Sequence, residues 1–339
     1  MSKDNITSID VAKKAGVSQS AVSRYYTPGA SLSKKTAQKV KLASDKLGYR
    51  PNVLARSLIT GKSKIIGLVV AYLENYFYPA ALEKLSNSLQ LEGYHVLVFM
   101  ASQTAGDIDE VLSEILDYQV DGIIVASVAM SSSLATRCQE AGVPVVLFNR
   151  DQDDDKLSSV TSDNFAGGQK VADLLLDLNH KRVSYLAGWE GASTQRDREF
   201  GFISKLKERG VNLFSRDIGN FTFEEAQKAT FRMFTKKIIP DALFVANDHM
   251  AFAAMDIIRF DLKLKIPEDV SVVGYDDVPP SSWSSYDLTT VKQKADKLVG
   301  ETVRILVESI EGKDTKTKKL KIESPLVIRK STKKLRQHG

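Results

Sequence analysis

A single cysteine, Cys138, leaves this chain of 339 residues no internal disulfide and suits a reducing cytoplasm, where a small buried thiol is its simplest role. Long apolar runs are missing too. The longest, Ile65–Ala71 and Gly122–Ala126, are of strand length, so no membrane span is expected. Met1–Thr7 is short and polar, without the apolar core of a secretion leader. Histidine is scarce, and none of His95, His180, His249 and His338 lies at a metal-binding spacing. No Gly-x-Ser-x-Gly elbow offers a nucleophile, and no Gly-x-Gly-x-x-Gly follows a strand. Gly61-Lys62-Ser63 matches only the end of a phosphate loop. Asp276-Asp277 are paired carboxylates, but adjacent loop residues rarely face one substrate. No catalytic residue, metal or cofactor is therefore expected, and the chain does not look like an enzyme.

What is present is an uneven charge. Residues 1–62 hold twelve basic side chains against Asp4, Asp10 and Asp45, a net +9, which leaves −4 for the rest. A basic head on a mildly acidic body points to a polyanion met through the head alone. The length predicts two or three domains. The end from Arg329 to Gly339 adds five basic residues and no acid, and reads as a solvated tail.

Within the head, Thr7 has the spacing of a helix N-cap with Asp10 in the first turn. Ile9, Ala12 and Ala15, with Val11 beside them, form an apolar face, and Gly16 can turn left-handed to stop the helix. Ser18 caps a second helix through Arg24, and a third runs from about Ser33 to Leu47 and ends at Gly48. Two helices joined by a glycine-containing turn make a helix-turn-helix. Its second helix would offer Ser18, Gln19 and Ser20 to base edges in a major groove. Arg24 can pair with a guanine or reach a phosphate. Thr7, Ser23, Ser33, Lys34, Lys35 and Tyr49, with Asn52 beyond, are placed for the DNA backbone. The same polar residues could also be merely solvated on a small three-helix module.

The order and spacing of Asp10-Val11-Ala12-Lys13-Lys14-Ala15-Gly16-Val17-Ser18, Ala21-Val22-Ser23-Arg24, Leu47-Gly48-Tyr49-Arg50-Pro51-Asn52 and Ala55-Arg56-Ser57-Leu58 resemble the Lac repressor (LacI/GalR-type) family of bacterial transcription regulators. Tyr25-Tyr26-Thr27-Pro28 departs from it where the family often carries an Asn. Pro51–Leu58 reads as about two helical turns, too short to be stable alone. Leu54 and Leu58 share a face and could pack on the body. The resemblance implies instead a hinge that folds in the minor groove, with Ala55 and Arg56 in it, Leu54 against its partner copy and Leu58 wedged between base pairs.

From Ser63 onward apolar strand-like runs alternate with helical ones, which implies parallel sheets covered on both faces, too many strands for one sheet, and hence two similar lobes. Polar pairs follow the strands at Asn149-Arg150, Asp163-Asn164, Asn247-Asp248 and Asp276-Asp277, where ligands of such sheets bind. The resemblance continues through this half, in Lys64–Gly67, Gly142–Val146, Ala246–Asp248 and Val273–Asp276 among others. The fold expected is thus an N-terminal all-α helix-turn-helix head (1–49), a hinge helix and linker (50–62), and an α/β body (63–339) of two similar parallel-sheet lobes like the periplasmic sugar-binding proteins. The lobes would span about 63–162 with 295–322, and 163–294 with 323–330, before a basic tail at 331–339.

Matched by position, the resemblance implies effector contacts at Phe77, Tyr78, Asn149, Arg198, Asn247, Asp276 and Gln293, with Trp283 as a further cover for a sugar face. Arg198 could equally be an interlobe ion pair, Asp276 a helix cap and Trp283 core packing. Ala295 stands where an aromatic is known in the family, so the ligand cannot be transferred. The function implied is a cytoplasmic, homodimeric, sequence-specific repressor of a near-palindromic double-stranded DNA operator, controlled by a sugar or sugar derivative. A weakly specific architectural DNA binder, or a sugar-processing enzyme with a DNA-binding head, are the alternatives.

Overall fold

A computed structural model describes residues 6–27, 29–50, 61–101, 105–126, 132–152 and 156–334. The chain divides into two units, residues 1–64 and 65–339. The hinge residues Asn52, Leu54, Ala55, Arg56 and Leu58 lie outside the described residues.

In the first unit three helices form: α1 Ser8–Ala15, α2 Gln19–Tyr25 and α3 Lys34–Leu47. Each starts on a hydroxyl cap. Thr7 accepts from the Asp10 N–H while the Asp10 carboxylate accepts from the Thr7 N–H at 2.9 Å, so two orphan donors are satisfied at once. Ser18 and Ser33 accept from the N–H groups of Ala21 and Thr36. Gly16 and Gly48 end α1 and α3 at φ of 62° and 64°, a conformation that costs glycine little. The core is Val11, Ala12, Val22, Val40 and Ala43. This corrects the apolar face expected on α1: Ile9 is half-exposed, and Val11, two residues on and nearly opposite it round the helix, is fully buried.

The second unit holds two six-stranded sheets. Lobe one is built on β1 Ile65–Val70, β2 His95–Met100, β3 Gly122–Ala126, β4 Val145–Phe148, β5 Ser158–Ser162 and β11 Lys319–Ile322, in the order β11-β5-β4-β3-β1-β2. Helices α4 Phe77–Leu91, α5 Ala105–Asp117, α6 Ser132–Glu140 and α11 Ala295–Ile310 accompany it. Lobe two is built on β6 Val183–Ala187, β7 Ser215–Ile218, β8 Ala242–Val245, β9 Ser271–Asp276, β10 Thr289–Lys292 and β12 Leu326–Val327, in the order β12-β10-β9-β8-β6-β7. Its helices are α7 Asn164–Asp177, α8 Ser193–Glu208, α9 Phe223–Phe234 and α10 Asp248–Asp256. All strand pairs are parallel except β10–β12. The chain passes between lobes at 162–164, 293–295 and 322–326.

The expectation of a solvated end from Arg329 fails as far as Lys333. Ser331 and Thr332 are buried, and the Ser331 hydroxyl donates to the Val272 carbonyl at 2.6 Å while accepting from the Thr289 N–H at 2.8 Å. The Lys333 N–H donates to the Ser271 hydroxyl. The end of the chain is thus stitched along lobe two's sheet.

Helices α7 and α8 touch backbone to backbone. A Cβ on Gly168 would lie 2.2 Å from the Arg198 carbonyl oxygen, and one on Gly201 would lie 2.0 Å from that of Phe165. Only glycine permits that approach, and it sets where α8 carries Arg198. Gly201→Ala should therefore cost about 2 kcal/mol or more in denaturant unfolding. Gly300→Ala, exposed on α11 with nothing within 4 Å, should gain up to about 1 kcal/mol. Equal effects of the two would contradict this packing.

Candidate functional site

In parallel sheets the carboxyl ends of the strands lie along one edge, and both lobes turn that edge toward a shared cleft. Tyr72 and Asn75 follow β1, Asn149 and Arg150 follow β4, Thr194 and Arg198 stand on α8 after β6, and Phe221 follows β7. Asn247 follows β8, Asp276 ends β9, and Tyr78 looks in from α4. These residues line a narrow cleft of about 240 Å3, counted out to its mouth. Its inner space admits little more than a water molecule.

At the centre Arg198 and Asp276 are both buried. The Arg198 guanidinium lies 3.6 Å above the centre of the Tyr275 ring and 3.6 Å from an Asp276 oxygen. Its Nε donates to Asn164 Oδ1 at 2.8 Å and its Nη1 to the Ala246 carbonyl. Asp276 accepts from Asn75 Nδ2 at 3.2 Å and from Gln293 Nε2 at 2.7 Å. Gln293 in turn accepts from the Ser162 hydroxyl at 2.8 Å, so it ties two interlobe crossovers to the cleft floor. Burial pushes the Asp276 carboxyl up, against the pull of Arg198 and of its hydrogen bonds. Behind it Asp248, wholly buried, accepts from the Ser281 and Thr290 hydroxyls, both at 2.6 Å, and from the Val278 N–H. Burial, and then the Asp276 charge, push Asp248 up to about 7, opposed by those bonds.

Bonds between the lobes hold the cleft narrow. Asn75 of lobe one meets Asp276 of lobe two, the Arg150 guanidinium donates to the Thr194 hydroxyl, and the Asp151 N–H donates to the Ser193 hydroxyl at 2.9 Å. Asn149 Oδ1 and Asn247 Nδ2, on opposite walls, are buried without a hydrogen bond. Asn247 Oδ1 already caps α10 by accepting from the Met250 N–H, which leaves Nδ2 toward the cleft. Asn149, Phe221 and Asp276 have φ of 53°, 63° and 134°, a strained backbone for residues other than glycine, of the kind that gathers at ligand sites.

Of the residues expected here, Tyr78, Asn149, Arg198, Asn247 and Asp276 come together in the wall. Phe77 stacks on Phe148 behind it, and its N–H donates to Asn75 Oδ1. Gln293 holds Asp276 from below. The structure does not bring Trp283 to the cleft: it is 53% exposed, after the 3₁₀ turn Pro279–Ser282. Arg150 joins the wall from the polar pair expected with Asn149 at a strand end, whereas Tyr72, Asn75, Thr194 and Phe221 gave no signal in the sequence. Among the described residues no three His, Cys, Asp or Glu gather as a metal site, and no helix is long and apolar enough to cross a membrane.

On the head, Ser18, Gln19, Ser20, Ser23 and Arg24 are exposed along α2. The Ser18 hydroxyl is engaged as the helix cap and meets Ser20 Oγ at 2.9 Å, and Gln19 Nε2 donates to Ser8 Oγ at 3.1 Å. Thr7, Ser33 and Lys34 are exposed at the starts of α1 and α3, and Tyr49 is half-buried against Tyr26. Thr7 and Ser33 are likewise occupied as caps.

A pH dependence follows for the buried acids. Both carboxyls are pushed up in the folded state, Asp248 to about 7, whereas the unfolded chain releases these protons in the ordinary carboxylate range, so the pair's contribution to stability falls as pH rises from about 4 toward 7. Asp276→Asn removes one of these groups and relaxes the other. Its melting temperature relative to the native protein should therefore climb between about pH 5 and 8. A constant difference would contradict the assignment.

Residues 8–52 match the family model for bacterial regulatory proteins of the lacI family, and residues 172–332 match that for a periplasmic binding protein-like domain. The HTH-type transcriptional repressor PurR of Mannheimia succiniciproducens is 30% identical over 329 residues, covering 96% of this chain and 98% of its own. The HTH-type transcriptional regulator CelR of Thermobifida fusca is 30% identical over 331 residues, covering 95% and 96%. Among solved structures, the Lac repressor dimer bound to operator and the anti-inducer ONPF superposes with a TM-score of 0.89 at 28% identity, over 97% of this chain and 99% of that one. The CelR–cellobiose complex gives 0.73 at 27%, over 96% and 99%. The chain belongs to the lacI family of bacterial regulatory proteins, as a DNA-binding transcription regulator with a periplasmic-binding-protein-like body.

Proposed function

We propose that this regulator is a homodimeric repressor whose hold on a near-palindromic operator is set by a small polar metabolite, a sugar or sugar derivative, bound between the two lobes. The observation that carries the reading is the buried Arg198–Asp276 pair at the meeting of the strand ends, beside two buried amide atoms that have no hydrogen bond. Buried polar atoms are normally satisfied, so Asn149 Oδ1 and Asn247 Nδ2 are suited to a ligand's hydroxyls. The relatives support the same reading: one solved structure holds operator and an anti-inducer, and another holds cellobiose. The curated relatives are regulators, which favours stoichiometric binding over turnover.

In this proposal Ser18, Gln19, Ser20 and Arg24 read bases, and Thr7, Ser23, Ser33, Lys34, Tyr49 and Asn52 meet the DNA backbone. Ser18, Thr7 and Ser33 would do so while serving as helix caps. Leu54, Ala55, Arg56 and Leu58 enter the minor groove. Dimerisation would cover the free edge of lobe one, where β2 is the end strand and Val98 and Met100 stand 45% and 53% exposed.

Selection of bound sequences from random DNA by the full chain should yield one near-palindrome. Arg24→Ala should relax base choice at one position per half-site and cost about 1–3 kcal/mol there. With that operator, a metabolite that raises the melting temperature of the protein should also shift operator affinity, and Arg198→Gln should abolish both effects. Failure to enrich any sequence would overturn the regulator's specificity. A metabolite that binds without changing operator affinity would overturn the control.

A further inference from the structure

We infer that residues 326–333 are a strap whose far end a proton on the buried His180 unfastens, and that the strap bears on the cleft through Arg329. The strap stands independently of the effector reading. Only what its loosening does to effector control rests on that reading.

The strap begins as β12, paired antiparallel with β10, and continues toward the start of β9. The Arg329 N–H donates to Thr289 Oγ1 at 2.8 Å, the Val272 N–H to the Ser331 carbonyl at 2.8 Å, and the Ser331 N–H to the Asp287 carbonyl at 3.0 Å. The last of these bonds, from the Lys333 N–H to Ser271 Oγ, is the longest at 3.2 Å. The far end therefore hangs on one hydroxyl.

That hydroxyl is shared with His180, which is 2% exposed. Its Nε2 lies 2.9 Å from Ser271 Oγ and its Nδ1 3.4 Å from Asp241 Oδ1. The carboxylate fixes the proton of the neutral ring on Nδ1, so Nε2 accepts from the Ser271 hydroxyl and the Ser271 oxygen accepts from Lys333. Each donor has one acceptor. A second ring proton reverses the chain. Nε2 then donates to Ser271 Oγ, the Ser271 hydrogen loses its acceptor inside a buried site, and one oxygen must serve both the ring and Lys333. Asp241 is not free to close on the ring. Its oxygens already accept from the N–H groups of Arg182 and Lys181, at 3.0 and 3.1 Å, and Arg182 Nη2 lies 3.9 Å away.

The charges about the ring agree. Asp241, before β8, and Lys333, on the strap, are the charged groups that act on it, and the Lys181 side chain is exposed. Burial, opposed by the Asp241 charge and reinforced by that of Lys333, holds the imidazole below its ordinary value. Unfastened, the ring meets water and titrates near about 6.5. The fastened state takes the proton less readily, so the fastening is fully present above about pH 6.5 and weakens as pH falls below it.

Arg329 carries the effect toward the cleft. Its Nη1 donates to the Leu288 carbonyl at 2.8 Å and its Nη2 to Asp277 Oδ1 at 2.6 Å, while Lys292 Nζ lies 3.2 Å from Asp277 Oδ2. Asp276 and Asp277 both have positive φ, 134° and 59°, which residues other than glycine keep only under restraint from their surroundings. Asp248 supplies restraint on one side, through the Val278 N–H, and Arg329 on the other. Arg329 is thus a positioning residue for the turn that aims Asp276 into the cleft.

Hydrogen exchange read by mass spectrometry on the full-length, ligand-free protein tests both parts. Corrected for intrinsic rate, exchange in peptides spanning 328–334 should rise about 5- to 10-fold between about pH 7.5 and 5.5. In His180→Gln, which takes up no proton, that rise should vanish. Ser271→Ala removes the shared hydroxyl, so the chain end should exchange faster at both pH values and respond no further; it serves should His180→Gln fail to fold. Less than a twofold rise in the native protein, or the native rise in a folded His180→Gln or in Ser271→Ala, overturns the latch. Arg329→Gln should speed exchange about 5- to 30-fold in peptides spanning 276–282, and Arg329→Lys should restore part of the protection. Unchanged exchange there in Arg329→Gln would sink the link to the cleft. Neither failure touches the effector reading, because no ligand is present.

Discussion

A guanidinium and a carboxylate placed out of reach of water in the middle of the body are the constraint on which the rest of the molecule turns. Both groups are cut off from water and burial works against the charge on Asp276, so each needs the other and every donor around them. Tyr275 gives Arg198 a face, Asn164 and Ala246 take its N–H groups, and Asn75 and Gln293 satisfy Asp276. Those partners come from both lobes and from the crossovers joining them. Removing one member of such a pair strands the other, typically at about 3–5 kcal/mol. The relative position of the lobes and the charge balance of the cleft are therefore a single problem, and a ligand that alters one alters the other.

This is also why the cleft can respond. The bonds across it are few and polar: Asn75 to Asp276, Arg150 to Thr194, and the Asp151 backbone to Ser193. Each exchanges for a bond to ligand or water at small net cost. The sheets on either side are apolar and tightly packed and are joined by three short crossovers, so in the proposed response the lobes would move as bodies while the crossovers bend. The inner space of the cleft admits little more than a water molecule, so entry of any sugar-sized molecule must part the lobes or reorder their contacts.

Architecture was legible in the sequence where burial alone decides it. β1, β3 and β8 are unbroken apolar runs because both faces of a parallel sheet are covered. β5, with the sequence SSVTS, escaped notice although every residue of it is buried. Its hydroxyls bond to Asp151 nearby and to Gln293 and Lys318, which lie far along the chain. β10 and the chain end at Ser331 and Thr332 follow the same rule. On α1 the choice between Ile9 and Val11 depended on where α2 and α3 pack, which periodicity over eight residues does not decide. In the cleft, residues anchored at strand ends were readable, as Asn149, Asn247 and Asp276 show. Phe221 and Thr194 were not, since one sits in a left-handed loop after a polar strand and the other in the first turn of a helix of low amphipathic contrast. Trp283 looked suited to a sugar by type alone, and type without position misleads.

The central claim is that occupancy of the cleft sets the distance between the lobes. Because Cys138 is buried, spin labels can be directed to Leu91→Cys in lobe one and Phe231→Cys in lobe two, both at exposed positions. A pulsed electron resonance measurement of that distance, taken without and with a bound metabolite, is the most direct test. The account predicts a distinct shift on binding that Arg198→Gln does not show. An identical distance distribution in the free and fully bound protein would contradict it.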